Sequence, residues 1–223
     1  MHAFRSADDG IDRTGLNAFG AADALGLADD HYAFRQHGSM FRIQGFWGDP
    51  EQHCQCADAL IAAAVRRYGR LDILVCNAGV NVKKPAIDFT PAEFDTVIGG
   101  NLRSYFLCAQ AAARQFIAQG TGGVIVMNSS NASVAAFEHL TPYCAAKGGI
   151  DMLVRGLASE WGPHGIRVNA FNPGYTRHSM TPEGQAYLAE AEKHIAARTP
   201  LRRMAEMREM VGPAVFLASD AAS

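Results

Sequence analysis

The sequence predicts an α/β protein in which helices flank a doubly wound parallel β-sheet. From residue 57 onward, amphipathic helical segments alternate with short apolar segments. The run LDILVC (71–76) is almost continuously apolar, which is typical of a strand that is covered on both faces. Helical segments of roughly 10–20 residues separate these strands, as right-handed βαβ crossovers require.

Each element carries a local signal. Apolar residues at helical spacing predict a helix over 57–69 that ends at Gly69, and residues 71–76 form a strand. Thr90 as N-cap, Pro91 at the first helical position and Glu93 predict a helix with a capping box over 90–101. The remaining predicted elements are a helix at 104–120, a strand at 122–130, a helix at 142–162, a strand at 166–174, and helices at 181–198 and 206–218.

The sequence predicts a single domain over 1–223, because it has no internal repeat, low-complexity tract or linker. Its net charge is −2, and no run of Lys or Arg is interleaved with aromatic residues. Nucleic acid and membranes are therefore not expected as partners. The N-terminus is too polar and acidic for a signal peptide, and no apolar run approaches about 18 residues. We expect a cytoplasmic protein.

The five cysteines are an odd number and lie mostly inside apolar runs. This usage is typical of reduced thiols rather than of a disulfide framework. Cys54 and Cys56 invite interpretation as metal ligands, but no second ligand pair follows them at zinc-finger spacing. No metal site is predicted.

Polar and small residues follow three of the predicted strands. They are Asn77-Ala78-Gly79, Ser129-Ser130 and Asn172-Pro173-Gly174. In a doubly wound sheet, ligands bind beyond the carboxyl ends of the strands. These segments are therefore the candidate binding site.

Tyr143 and Lys147 lie in the sequence YCAAK at the start of a long predicted helix. Their spacing places both side chains on one helical face, about 5–6 Å apart at Cβ. An ammonium favours the phenolate and lowers the pKa of a tyrosine from about 10, so the pair can transfer a proton near neutral pH. The alternative is an amphipathic helix with one tyrosine and one surface lysine. Two further residues favour the chemical interpretation: Ser130, at the exit of a buried strand, and Asn101, whose amide could hold water or backbone.

In these residues the chain resembles the short-chain dehydrogenase/reductase superfamily, in its main branch of single-domain Rossmann-fold enzymes. The resemblance extends over residues 46–223, in family order and at family spacing. The segments that carry it are LDILVCNAG (71–79), GGNLRSYFLCAQ (99–110), VIVMNSS (124–130), YCAAK (143–147), GIRVNAFNPGYT (165–176) and PAVFLASDAAS (213–223).

The resemblance implies a catalytic role for four residues. Tyr143 would be the general acid/base on the substrate oxygen, while a nicotinamide gives or takes a hydride. Lys147 would lower the pKa of the tyrosine and bind the nicotinamide ribose hydroxyls. Ser130 would donate a hydrogen bond to the substrate oxygen. Asn101 would anchor a water in a proton relay that leads to Lys147.

The resemblance also implies a site for NAD or NADP, with NAD preferred. The residues implied to bind the cofactor are Gly15, Asn77, Ala78, Gly79, Tyr143, Lys147, Pro173, Gly174 and Thr176. Ser129 is interpreted as a strand-end serine that caps the next turn. Two positions depart from the family pattern: Cys76 replaces an asparagine, a mild change, and His178 stands where a threonine usually contacts the cofactor.

Residues 1–45 depart most from the family. TGLNAFGAA (14–22) resembles its phosphate-binding glycine loop, but Phe19 occupies the space that a phosphate needs. SADDGIDR (6–13) is too acidic for a central buried strand, and Phe46 stands where an Asp usually contacts the adenine side. We therefore expect degenerate N-terminal βα units and a missing last strand. Our hypothesis is a frame-shifted or misassigned start, or a decayed gene; a frame shift predicts an intact strand and glycine loop in another reading frame.

The implied function is an NAD(P)-dependent oxidoreductase that interconverts a secondary alcohol and a ketone. ASEWGPHGIRVNA (158–170) and the polar segment 176–200 favour a polyol, sugar or sugar acid as substrate. A 3-oxoacyl thioester is the alternative substrate, and a catalytically silent fragment that cannot bind the cofactor is the alternative function. The implied partners are a small-molecule substrate and further copies of the chain, in a homodimer or homotetramer through helices 104–120 and 142–160.

Overall fold

The structure alternates strands and helices along the chain. The computed structural model describes residues 34–37, 40–43, 50–177 and 182–223. The strands are β1 (Phe34–His37), β2 (Met40–Ile43), β3 (Ile73–Cys76), β4 (Gly123–Asn128) and β5 (Ile166–Phe171). The α-helices are α1 (Pro50–Tyr68), α2 (Pro91–Ile98), α3 (Ser104–Gln119), α4 (Thr141–Trp161), α5 (Pro182–Arg198) and α6 (Val211–Ala218).

Strands β3, β4 and β5 form a parallel sheet in that order. Ile73 of β3 lies opposite Val124 of β4, and Gly123 of β4 lies opposite Ile166 of β5. A helix follows each of the first two strands and carries the chain back to the start of the next one. The predicted parallel α/β sheet is confirmed.

Helices cover both faces of this sheet. Leu74 and Ile125 belong to the main core with apolar residues of α1, α3 and α4. Ile73 and Val126 face the other way and pack against Ala218 of α6. Because neighbouring residues of a strand point to opposite faces, two buried faces require a nearly continuous apolar run. This arrangement explains LDILVC and confirms the doubly wound architecture.

The ends of the predicted elements follow their local signals. Gly69 ends α1 with a left-handed backbone (φ 82°), and its amide donates to Val65 O at 2.8 Å. The predicted capping box at α2 is present: Glu93 N donates to Thr90 Oγ1, and Thr90 N donates to Glu93 Oε2 at 2.9 Å. The helix predicted over 57–69 is only part of α1, which begins earlier, at Pro50.

Helices α2 and α3 are continuous, whereas the sequence predicted two separate helices. A π-helical turn, Gly99–Arg103, joins them, and the backbone is helical at both junctions. In the sequence, Gly99 and Gly100 resemble a helix end, but Gly99 adopts a right-handed helical conformation here. The turn places Asn101 inside one long helix rather than at the end of a helix. Such π-turns are frequent at functional sites.

Strands β1 and β2 pair antiparallel, with Phe34 opposite Ile43 and His37 opposite Met40. The sequence did not predict them, because residues 31–48 show no strand or helix period.

Several predictions concern residues outside the described ranges and stay predictions. They are those for Gly15, the loop at 14–22, the segment 6–13 and Phe46. None of the helices that the structure describes has the length and apolarity of a membrane span.

Candidate active site

Hydrogen bonds bring the three predicted strand-end segments together at the carboxyl edge of the sheet. Asn128 Nδ2 donates to Asn77 Oδ1 at 2.6 Å, which links the ends of β4 and β3. Asn131 N donates to Pro173 O at 2.9 Å, and Asn172 Nδ2 donates to Ser130 O at 3.1 Å, which link β4 to β5. The segments predicted to form the site are therefore neighbours.

Ser130 follows β4 in an extended conformation and begins the short 3₁₀ turn Asn131–Ser133. Its Oγ accepts a hydrogen bond from Ala132 N at 3.1 Å and donates to Asn131 Oδ1 at 3.3 Å. The residue is 9% exposed. A hydroxyl held in this way can orient toward a ligand oxygen.

Lys147 lies one helical turn after Tyr143 on α4 and is 4% exposed. Its Nζ donates to the backbone oxygen of Asn128, at the end of β4, at 2.7 Å. The same nitrogen lies 5.5 Å from the ring centroid of Tyr143 and 5.2 Å from that of Tyr105. The ammonium is therefore held between two aromatic rings and a carbonyl, which stabilise its charge.

Burial changes the acidity of both side chains. It raises the pKa of Tyr143, and a hydrogen bond with Ser130 partly offsets the rise. Burial lowers the pKa of Lys147 to about 8, whereas Asp151 and Cys76 act to raise it. The change at Tyr143 is opposite to the one predicted from the Lys147 ammonium, because loss of hydration penalises the phenolate more than its neighbours stabilise it. At neutral pH the phenol is protonated and most of the lysine is charged.

Asn101 is fully buried in the π-helical turn. Its Nδ2 donates to Val80 O at 2.7 Å and to Val97 O at 2.8 Å. The amide therefore ties the chain that follows β3 to helix α2, which agrees with the prediction that it could hold backbone. Its Oδ1 is buried without a hydrogen-bond partner among the described residues. The water relay implied by the resemblance stays a prediction.

Gly79 packs directly against this asparagine. A Cβ at position 79 would lie 2.6 Å from Asn101 Oδ1, closer than side chains approach one another in proteins. A glycine is required here by the close approach of the side-chain amide. Gly79, the last residue of the motif Asn77-Ala78-Gly79, and Asn101 are therefore the two partners of one contact.

The sequence predicted that Ser129 caps the next turn, and this prediction is wrong. Its hydroxyl donates to the backbone oxygen of Lys147 at 3.2 Å, and the residue is 3% exposed. The capping contact belongs to Ser130, whose Oγ accepts from Ala132 N. Consecutive residues of an extended chain point to opposite sides, so only one of the two serines can face the turn.

The other residues implied to bind a cofactor lie on loops at the same edge. Asn77 and Ala78 are exposed after β3, and Pro173 and Gly174 follow β5. Thr176 forms a parallel β-bridge with Ala205. His178 lies outside the described residues. The roles of these residues in binding stay predictions.

Two polar contacts of the site were not predicted: the one between Lys147 and Asn128, and the one between Asn172 and Asp151. The carbonyl of Asn128 accepts from Lys147, and no sequence pattern indicates a main-chain acceptor. Asp151 lies four residues after Lys147, so the spacing that joined Tyr143 to Lys147 could have identified it. Asn172 was noted only as part of a strand-end segment, and the structure shows its side chain in contact with Asp151.

The cysteines that the structure describes form no disulfide; they are Cys56, Cys76, Cys108 and Cys144. Cys76, which replaces the usual asparagine, belongs to the main core, and burial raises its pKa. Its side chain is therefore a small apolar element of the core. Within the described ranges, no group of His, Cys, Asp and Glu side chains could hold a metal ion.

Comparison with known proteins gives consistent matches. A family model described as enoyl-(acyl carrier protein) reductase matches residues 51–223. The 2-dehydro-3-deoxy-D-gluconate 5-dehydrogenase of Dickeya dadantii is 40% identical over 163 residues, which are 73% of this chain and 64% of that protein. The L-rhamnose 1-dehydrogenase (NAD(P)(+)) of Azotobacter vinelandii is 34% identical over 203 residues, which are 91% of this chain and 77% of that protein.

A solved structure shares the fold. The crystal structure of a gluconate 5-dehydrogenase from Burkholderia cenocepacia, in complex with NADP and tartrate, superposes with a TM-score of 0.71 and 35% identity. The match covers 78% of this chain and 68% of that one. The chain spans 63% to 64% of the length of several curated relatives that it matches.

Proposed function

Because this chain belongs to the short-chain dehydrogenase/reductase superfamily, we propose that it is an NAD(P)-dependent oxidoreductase that interconverts a secondary alcohol and a ketone. One observation carries the proposal: Ser130, Tyr143 and Lys147 lie together at the carboxyl edge of the sheet, with Lys147 buried beside the Tyr143 ring. A hydroxyl, a phenol and an ammonium close to one another are the groups that acid/base chemistry at one oxygen atom requires.

In the direction of reduction, the protonated phenol of Tyr143 donates its proton to the carbonyl oxygen of the substrate. In the direction of oxidation, the Tyr143 oxygen accepts the proton of the substrate hydroxyl. The Ser130 hydroxyl donates a hydrogen bond to the same substrate oxygen and stabilises the negative charge that develops there. The Lys147 ammonium stabilises the phenolate that remains after proton transfer.

The residues present fit the nicotinamide half of a dinucleotide. The Lys147 ammonium has three N–H groups and directs one to Asn128 O, so it can also bind ribose hydroxyls. Buried side-chain oxygens of Asn81, Asn101 and Asn128 have no partner in the described residues, which suits a site completed by further polar groups. When bound, a nicotinamide cofactor supplies or accepts the hydride.

We propose a polyol, sugar or sugar acid as the substrate. The supporting observation is that several relatives act on such compounds by name, among them a 2-dehydro-3-deoxy-D-gluconate 5-dehydrogenase, an L-xylulose reductase and an L-rhamnose 1-dehydrogenase. A 3-oxoacyl thioester is the second candidate, because the matching family model is described as an enoyl-(acyl carrier protein) reductase, a description that names an acyl thioester. For the cofactor we propose NAD or NADP, with NAD first.

We propose that a second copy of this chain covers the groove between α3 and α4. Phe106, Ile117 and Met152 line the groove and are 37%, 45% and 61% exposed. Arg103 and Glu160 line it too, and charges of both signs suit a two-fold contact in which each copy presents the same surface. The assembly is a homodimer, or a homotetramer if a second surface is used. We propose a cytoplasmic location, which the odd number of cysteines and their place in apolar runs of the sequence support.

The test is a panel of polyols, sugars, sugar acids and 3-oxoacyl thioesters, assayed with NAD(H) and NADP(H). We expect turnover with a polyol or sugar acid, and its loss in Tyr143→Phe with little change in cofactor affinity. Turnover of thioesters alone would favour the second substrate class. A Tyr143→Phe protein that retains the original rate would contradict the proposed acid/base role.

A further inference from the structure

Asp151 and Asn172 form a polar bridge beside the catalytic residues that nothing in the proposed reaction uses. Asn172, at the end of β5, directs its Nδ2 toward both carboxylate oxygens of Asp151, at 3.2 and 3.0 Å. The same nitrogen lies 3.1 Å from the backbone oxygen of Ser130 and 2.7 Å from Ser133 Oγ. One side-chain amide therefore joins β5, the loop after β4 and helix α4.

The surroundings fix the orientation of this amide. The two carboxylate oxygens and the Ser130 carbonyl can only accept hydrogen bonds, so the NH₂ group of Asn172 must face them. With the amide reversed, its oxygen would face a carboxylate and a carbonyl. The carboxylate of Asp151 thus determines which end of the amide reaches the Ser130 backbone.

Asp151 also lies one helical turn after Lys147, on the side of α4 that faces the strand ends. Lys147 binds the last residue of β4, and Asp151 binds the residue that follows β5. Two successive turns of one helix are therefore attached to two neighbouring strands. Since Tyr143 precedes Lys147 by one more turn, this attachment sets the position of α4 relative to Ser130.

Several groups face the Lys147 ammonium. Asp151 comes from its own helix, Cys76 from β3, and the Tyr143 and Tyr105 rings from α4 and α3. Of these, Asp151 acts most strongly against the effect of burial, and it raises the pKa of Lys147. From the next turn of α4, its carboxylate therefore favours the charged form of the buried lysine.

We propose that Asp151 and Asn172 are positioning residues of the catalytic site: Asp151 fixes the Asn172 amide on the Ser130 backbone, and its carboxylate lies one helical turn from Lys147, where it favours the charged form of the lysine. The inference rests on the proposed function for its catalytic consequence. Neither residue touches the reacting atoms; both act through Ser130 and Lys147.

The effect of the Asp151 carboxylate is tested by the titration of Lys147 itself, which needs neither cofactor nor turnover. The chain has four lysines, so protein labelled with [ε-¹³C]lysine gives four resonances, and Lys147→Met assigns the one in question. We expect Asp151→Asn to move the titration midpoint of Lys147 to lower pH. Asp95→Asn, the same change at an exposed position of α2, should leave it in place. An unchanged midpoint in Asp151→Asn would overturn the proposal.

The bridge between Asp151 and Asn172 is tested by exchanging the two side chains. The readout is turnover of a substrate identified in the panel above. Asn172→Asp sets two carboxylates against each other beside the Ser130 carbonyl, and we expect kcat to fall roughly tenfold with little change in KM. The double variant Asp151→Asn/Asn172→Asp restores one donor and one acceptor and should recover part of the loss. A double variant no better than the single one would contradict the bridge. Absence of turnover in the unmodified chain would count against the proposed function, while the lysine titration would still decide the inference.

Discussion

Lys147 is held in place by the protein alone. Its ammonium lies between Tyr105 and Tyr143 and donates to the Asn128 carbonyl, and the side chain is 4% exposed. A catalytic side chain that is fixed by packing and hydrogen bonds loses little freedom when a ligand binds. The opposite pKa changes of Tyr143 and Lys147 follow from the same burial.

The contact between Gly79 and Asn101 gives a prediction at the residue scale. In Gly79→Ala the new methyl group would lie 2.6 Å from Asn101 Oδ1, while two hydrogen bonds hold that amide in place. We expect a loss of about 1–3 kcal/mol in the free energy of unfolding, measured in urea, and a lower kcat. Gly99→Ala is the matched control, because its Cβ would meet nothing within 4 Å. Equal stability of the two variants would show that the contact is not tight.

The candidate site was predictable where local spacing encodes it. Ser130 follows a buried apolar run, and Tyr143 and Lys147 are four residues apart, so strand and helix periodicity were sufficient. The pKa of Tyr143 was predicted in the wrong direction, because the extent of its burial depends on packing that the sequence pattern does not contain. The bridge from Asn172 to Asp151 joins residues 21 positions apart and required the fold.

At the scale of elements, the capping box of α2 gives a prediction for pH. Glu93 accepts hydrogen bonds from Lys84 and from Thr90, and these lower its pKa from the usual 4.5 to about 2. The unfolded chain therefore binds the proton more readily, so the stabilisation is complete above pH 4.5 and is lost as the pH falls toward 2. Its size is limited by solvent screening.

The measurement is the free energy of unfolding in urea as a function of pH. We expect Glu93→Gln to reduce the dependence between pH 4.5 and 2, relative to the unmodified chain. Glu138→Gln, at an exposed glutamate on the loop before α4, is the control. If the free energy of unfolding depends on pH in the same way for Glu93→Gln and the unmodified chain, the capping box contributes nothing to stability in acid.

Among the elements, those with strong local signals were predicted best. Thr90, Pro91 and Glu93 specify a helix start within four residues. The separation of α2 from α3 was predicted wrongly, because Gly99 and Gly100 are compatible with both a helix end and the π-turn that the chain adopts. Strands β1 and β2 were missed because short strands without alternation leave no period to detect.

At the scale of the whole molecule, the groove between α3 and α4 predicts self-association. The double variant Phe106→Glu/Met152→Glu places charges at the centre of the proposed contact and should shift the protein toward the monomer in analytical ultracentrifugation. Phe94→Glu is the control, since Phe94 is 45% exposed on α2, outside the groove. An unmodified chain that is monomeric at all concentrations, or a double variant that remains associated, would contradict the proposed interface.

The central claim is that this chain binds a nicotinamide cofactor beside Ser130, Tyr143 and Lys147. The most direct measurement is the fluorescence of NADH and of NADPH titrated with the purified chain. We expect a saturable enhancement that Tyr143→Phe retains and Lys147→Met weakens. No enhancement with either cofactor up to millimolar concentration would contradict it and would identify the chain as a silent member of its family.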